Sequence, residues 1–121
     1  MTTPNDNTLY RRTNTKYWKY VDEFRKVEQE NRDYRKKVDS EKGDTKDLYE
    51  KYFNRFKESK RYRQWRIYHP AKGQEGRNYK KEIDECTDKI KNEDDPIQKS
   101  GYTMDRNLVI QELVEQLEGT E

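Results

Sequence analysis

The sequence has little of what covalent cross-links, metal sites and membrane spans require. Its 121 residues include one cysteine, Cys86, and one histidine, His69. A lone cysteine cannot form an internal disulfide, and these two side chains cannot complete a zinc ligand set. The longest apolar run, residues 108–110, is far too short for a membrane span. Since residues 1–8 are polar and carry no signal-peptide core, we expect an intracellular protein, cytoplasmic or nuclear, without membrane contact.

Aliphatic residues are also scarce. Charged residues make up 43% of the chain and hydrophobic residues only 28%. Leu, Ile, Val and Phe together account for 18 of the 121 residues. This fraction is smaller than the roughly 20% below which disorder becomes a serious expectation. Ten Tyr and two Trp supply much of the remaining apolar surface. This composition predicts one small domain with a thin, aromatic core and no large enclosed pocket.

Motifs for catalysis and cofactor binding are absent from the sequence. There is no H-E-x-x-H, C-x-x-C or G-x-S-x-G. The glycine-rich stretch 72–76 lacks the residue order of a P-loop, and the acidic triplet 93–95 lacks the glycine and closing glutamate of an EF-hand loop. A thin core offers no apolar pocket that would raise the pKa of a carboxyl group. We therefore expect no catalytic site, cofactor or bound metal ion.

Glycine and proline divide the chain into segments with helical periodicity, which predicts an all-α fold. A disordered basic-aromatic tail is expected over 1–13 and a single helical domain over 14–121. The short link around Gly43 favours antiparallel neighbours. We therefore expect an antiparallel hairpin of two long charged helices, followed by two shorter helices. The predicted helices cover about 14–42, 45–68, 77–92 and 105–118.

The first predicted helix carries a heptad seam, in which an apolar stripe is interrupted by one polar residue, Asn31. The seam consists of Tyr17, Tyr20, Phe24, Val27, Asn31, Tyr34 and Val38. A buried Asn at such a position can fix the register of a coiled coil, which would make the protein a homodimer. Alternatively, a short amphipathic face simply tolerates a polar residue. The second interpretation is favoured because three heptads are the minimum length for a coiled coil.

The last predicted helix has the most apolar face of the chain, and Asp105 is its expected N-cap. That face consists of Ile110, Leu113, Val114 and Leu117. It either completes the helical domain or docks in the groove of a protein partner. We favour the first because the other segments need apolar cover.

Charge is distributed unevenly along the chain. Residues 45–73 carry 9 basic and 3 acidic side chains, whereas residues 74–121 carry 7 basic and 13 acidic side chains. The basic segment is also aromatic, a combination that suits phosphate contact and base stacking. The predicted phosphate contacts are Lys57, Lys60, Arg61, Arg63 and Arg66. The predicted site also includes Tyr62 and Trp65, which together with Tyr68 would either stack on bases or pack in the core.

Two functional hypotheses follow. In the first, the chain is a non-enzymatic binding protein that contacts the nucleic-acid backbone through its basic-aromatic helix. In the second, it is a protein–protein assembly subunit or adaptor, of a type found in viruses or mobile elements, which binds its partner through Asn31 or the C-terminal face. A dimeric nucleic-acid binder would combine the two. The simplest alternative is a solvated charged helix above a thin aromatic core.

Overall fold

The protein is all-α. The computed structural model describes residues 4–74 and 76–120, with side chains described from residue 11 onward. This part of the chain contains five helices and no strand. The helices are α1 (Pro4–Ser40), α2 (Gly43–Glu58), α3 (Lys60–Tyr68), α4 (Tyr79–Asn92) and α5 (Pro96–Glu118). Within these residues, no helix combines the length and apolar content needed to cross a bilayer.

Helix α1 begins ten residues before the predicted start at residue 14. The structure places residues 4–13 in the helix, so the predicted disordered tail is wrong for this stretch, while residues 1–3 lie outside the described residues. Thr13 is buried one turn before Tyr17, so the seam extends upstream through a small polar side chain. A search for apolar periodicity does not count a buried threonine, so the sequence predicts a later start for this helix than the structure shows.

The second predicted helix, 45–68, is two helices in the structure. Helix α2 ends at Glu58 and α3 begins at Lys60, with Ser59 between them in an extended conformation at ψ 150°. The Ser59 hydroxyl donates a hydrogen bond to the Phe56 carbonyl at 2.6 Å and accepts one from the Tyr62 N–H at 3.2 Å. Ser59 is thus the N-cap of α3. The break at Ser59 changes the direction of the chain at the point where the apolar residues shift to a different line along the helix.

Helix α5 begins at Pro96, nine residues before its predicted start. Asp95 caps the helix by accepting a hydrogen bond from the Ile97 N–H at 3.0 Å. Proline suits the first position of a helix because its fixed φ is already helical and its missing N–H would be unpaired there. Asp105 therefore lies in the middle of α5 and is not its N-cap. The predicted helix is too short because proline and glycine usually interrupt helices, whereas Pro96 and Gly101 both lie within α5.

Helices α2 and α3 pack along α1 in reverse sequence order. Near the end of α1, the ring of Tyr34 stacks on that of Phe53, with 5.6 Å between centroids. Further back along α1, Phe24 stacks on Tyr68 at 4.8 Å. The link between α1 and α2 is only two residues long, and Gly43 beside it adopts a φ of 61°, which glycine reaches without strain.

The α1 seam is buried inside this chain. Asn31 is only 6% exposed, and Val27 next to it is fully buried. Helices α2, α3 and α5 all pack on α1, and their buried apolar residues belong to the same core cluster as the seam. The predicted role of Asn31 in a homodimer seam is therefore corrected, since the residue is enclosed within one copy.

The C-terminal face is likewise part of the core. Helix α5 packs against α4 and α1 and buries four side chains. These are Ile110, Leu113, Val114 and Leu117. The favoured expectation that this face completes the helical domain agrees with the structure, and the alternative role in binding a partner is corrected, because all four side chains are buried in the core of one copy.

Candidate functional site

Three basic side chains at the junction of α2 and α3 remain exposed and without an acidic partner. Lys60 and Arg63 are one turn apart and therefore lie on the same face of α3. Lys57, in the last turn of α2, places its Nζ 4.0 Å from the centroid of the Phe53 ring. Among the described residues, none of the three has a carboxylate within 4.0 Å. Their charges are free to attract an anion.

Arg61, by contrast, is paired within the protein. Its Nη2 lies 2.6 Å from Oε1 of Glu30, and its Nε lies 3.8 Å from Oε2 of Glu23. Both carboxylates come from α1, so Arg61 fastens α3 to that helix. The charge of the predicted phosphate contact at Arg61 is thus partly neutralised, because two acidic residues from much earlier in the chain lie against it.

Arg66 lies against the aromatic rings of its own helix. Its guanidinium carbon is 4.3 Å from the centroid of Trp65, and its Nε donates a hydrogen bond to the Tyr62 hydroxyl at 2.9 Å. A guanidinium over an aromatic face keeps its charge and is held in place by cation–π attraction. Arg66 lies one turn after Arg63, so it extends the row of positive charge along α3.

The two predicted stacking residues are packing residues. Trp65 is only 4% exposed, so its faces cannot receive a base. Tyr62 is half-buried and meets the rings of Phe56 and Trp65 edge-on, at 5.3 and 5.5 Å between centroids. The structure corrects the stacking prediction: a chain with so few aliphatic residues uses these rings to build its core.

The acidic C-terminal third does not neutralise the basic segment. Arg77 pairs with Glu82 and Glu112, and the hydrogen bonds that it donates to these two carboxylates raise its pKa. Lys80 pairs with Asp84 at 2.7 Å. No ion pair found among the described residues joins α4 or α5 to α2 or α3. In the described part of the chain, the acidic third and the basic segment are therefore not joined by a direct ion pair.

A groove of about 330 Å³ runs between α1 and α4. The hydroxyls of Tyr17 and Tyr68 lie 3.4 Å apart at its floor. Burial and the hydrogen bond shared with Tyr68 raise the pKa of Tyr17, so its hydroxyl stays neutral at physiological pH. Within residues 4–74 and 76–120, no three His, Cys, Asp or Glu side chains form a metal-binding group. The groove offers apolar contact above these two phenol side chains.

Cys86 lies half-buried on α4. Burial and the nearby negative charge of Asp105 raise its pKa. A thiol that is held protonated is a weak nucleophile. Cys86 therefore acts here as a small, partly buried side chain.

The fold leaves six large apolar side chains exposed among the described residues, and the sequence pattern did not predict this. One is on α1, two are on α2 and three on α5: Trp18, Leu48, Tyr52, Ile97, Met104 and Leu108. On α2, Leu48 and Tyr52 lie beside the buried Phe53 and Phe56. Starting α5 at Pro96 would have revealed the second stripe, because 97, 101, 104 and 108 follow helical spacing.

Comparisons with known proteins identify no relative of this chain. No protein-family model matches it, and no curated protein or solved structure is similar to it.

Proposed function

We propose that this protein is a non-enzymatic binding protein that contacts the nucleic-acid backbone through a basic surface at the junction of α2 and α3. The basic surface consists of Lys57, Lys60, Arg63 and Arg66. The observation that carries the proposal is that Lys57, Lys60 and Arg63 are exposed and have no carboxylate partner among the described residues. A phosphate that approaches them therefore displaces counterions and not an internal acidic group.

The burial of Trp65 supports phosphate contact without base recognition. Contacts to phosphate position a protein on a nucleic acid, whereas contacts to base edges or base faces specify sequence. With Trp65 enclosed and Tyr62 packed edge-on, this surface provides only the first kind of contact. We therefore propose binding that is largely independent of sequence and strongly dependent on salt.

A double substitution of Lys60→Gln and Arg63→Gln tests this function. Anisotropy titrations would use labelled duplex and single-stranded oligonucleotides at about 50 and 200 mM salt, a range over which phosphate-driven affinity falls steeply. The expected result is weaker binding at the lower salt and a salt slope reduced by about two, since each lost phosphate contact removes about one unit.

The matched control is Lys91→Gln with Lys99→Gln. Both lysines are exposed, both lie in the acidic third, and their loss changes the net charge by the same amount. This control should retain the affinity of the original protein. Equal weakening in the two double variants would mean that total charge governs binding, and the assignment to the basic surface would then be rejected. Absence of binding at the lower salt would reject the function itself.

A further inference from the structure

Helix α5 has an exposed apolar stripe on the side facing away from the core. Ile97 is 82% exposed, and Met104 and Leu108 follow it at helical spacing with Gly101 between them. A side-chain carbon placed at Gly101 would have nothing within 4 Å, so this position is open to close approach by another helix. The α5 face is defined here as Ile97, Gly101, Met104 and Leu108.

Helix α2 has a shorter exposed apolar face of the same kind. Leu48 and Tyr52 are one turn apart, and both are exposed. Lys51 and Arg55 follow them at a spacing of three residues and therefore flank the same face. Neither basic side chain is within 4.0 Å of a carboxylate in the described part of the chain. The α2 face is defined as Leu48, Lys51, Tyr52 and Arg55.

The charges beside the two faces differ in sign. Asp105 precedes Leu108 by three residues on α5, so an exposed carboxylate flanks the α5 face, and the exposed Asp94 lies in the linker just before this helix. The α2 face is flanked by Lys51 and Arg55, which outnumber the one carboxylate in the first turn of the helix, Asp44. Helices α2 and α5 do not contact each other within the described residues, so the two faces do not cover one another in a single copy.

We propose that the α5 face of one copy docks on the α2 face of a second copy. Docking two α5 faces would bring carboxylates together, and docking two α2 faces would bring basic groups together. Only the pairing of unlike faces covers both apolar stripes and joins opposite charges. Such a contact is heterologous, and it leaves a free α2 face at one end and a free α5 face at the other. Copies therefore add head to tail, as an open chain or a closed ring.

Two face variants test this proposal by complementation. The α2-face variant carries Leu48→Ser and Arg55→Ser, and the α5-face variant carries Met104→Ser and Leu108→Ser. Sedimentation velocity of each protein would be recorded over a wide range of concentration at low and high salt. The original protein should increase in mass with concentration, and less so at high salt. Each variant alone should remain a monomer, with association weakened by at least about tenfold, or about 1.4 kcal/mol.

An equimolar mixture of the two variants is the decisive sample. Each variant retains the face that the other lacks, so the mixture should form a dimer and stop there. A mixture that remains monomeric would overturn the head-to-tail contact, as would an original protein that stays monomeric at every concentration. Persistent association of either single variant would point to a like-with-like interface and would also overturn it.

The test is independent of the proposed nucleic-acid function. It contains no nucleic acid and leaves Lys57, Lys60 and Arg63 unchanged. All substituted side chains are exposed, and circular dichroism would confirm that each variant keeps its helices. If either serine variant loses helical signal, Arg55→Glu and Asp105→Lys replace the two variants. Each alone should then be monomeric, because its own α2 and α5 faces carry like charges. In the mixture both junctions between unlike variants are matched in charge, so the mass should again increase with concentration, and a mixture that stays monomeric would overturn the contact.

Discussion

At the scale of single residues, Asn31 is the polar group that the core accommodates least well. It lies on the buried seam of α1, and its Oδ1 atom is buried without a hydrogen-bond partner among the protein atoms described. Leaving such an acceptor unpaired costs roughly 1–3 kcal/mol. The sequence identified this residue as unusual, but it could not show whether a second copy or this chain's own helices would enclose it.

Replacing Asn31 with leucine should therefore stabilise the protein. Leucine removes the unpaired acceptor and adds apolar contact, and we expect the free energy of unfolding to rise by about 1 kcal/mol. Urea denaturation followed by circular dichroism measures the change. Asn54→Leu, on the exposed side of α2, corrects for the helix preference of leucine. A loss of stability at Asn31 relative to this control would show that the amide has a partner and contributes to the fold.

At the scale of helices, the break at Ser59 determines which basic side chains share a surface. A continuous helix over 45–68 would have kept α3 in line with α2. Instead, the capped turn redirects α3, so that Arg61 meets Glu30 of α1 while Lys60 and Arg63 face outward. The hydrogen bonds of Ser59 thus help to determine that Arg61 is paired with a carboxylate, whereas Lys60 and Arg63 have no such partner among the described residues.

Removing the Ser59 hydroxyl should weaken this junction. Ser59→Ala loses the hydrogen bonds to Tyr62 and Phe56, and loss of an N-cap typically lowers the free energy of unfolding by about 1 kcal/mol. Chemical denaturation would detect the loss. Ser100→Ala, an exposed serine inside α5, is the matched control and should be neutral or slightly stabilising. If the two variants were equally stable, the cap would not be what ends α2.

The helices were predictable from sequence to different degrees, for physical reasons. The α1 seam was found because buried residues at heptad spacing leave a periodic trace, and burial confirms the predicted face from Tyr17 to Phe24. The start of α5 was missed because a proline can begin a helix as well as end one. The pairing of Arg61 with Glu30 joins distant positions, and no local pattern records such a contact.

At the scale of the whole molecule, the fold depends on a small number of buried aliphatic side chains. Only Leu113, Leu117 and Val27 rank among the fully enclosed large side chains of the described chain. Two of them are on α5, which packs against both α4 and α1. The rest of the core is mainly aromatic and includes Phe24 and Trp65. Stability should therefore respond strongly to changes on one side of α5 and weakly to changes on the other.

Two leucines on the same helix test this difference. Leu113 is 0% exposed and Leu108 is 48% exposed. Leu113→Ala should lower the free energy of unfolding by about 2–5 kcal/mol, which is the usual cost of a buried leucine. Leu108→Ala, measured in dilute protein, should change it by no more than about 0.5 kcal/mol. Comparable losses at both positions would mean that the outer side of α5 is also covered within one copy.

The ion pair between Lys16 and Glu118 joins the two ends of the chain and bears on how the protein folds. Most helix pairs in the fold are neighbours in sequence, such as α1 with α2 and α4 with α5. Contacts between neighbours close short loops, which favours fast folding. Docking α5 on α1 closes nearly the whole chain into one loop and carries the largest entropic cost. We therefore expect the two helix pairs to form first, and the closure of α5 onto α1 to complete the native state.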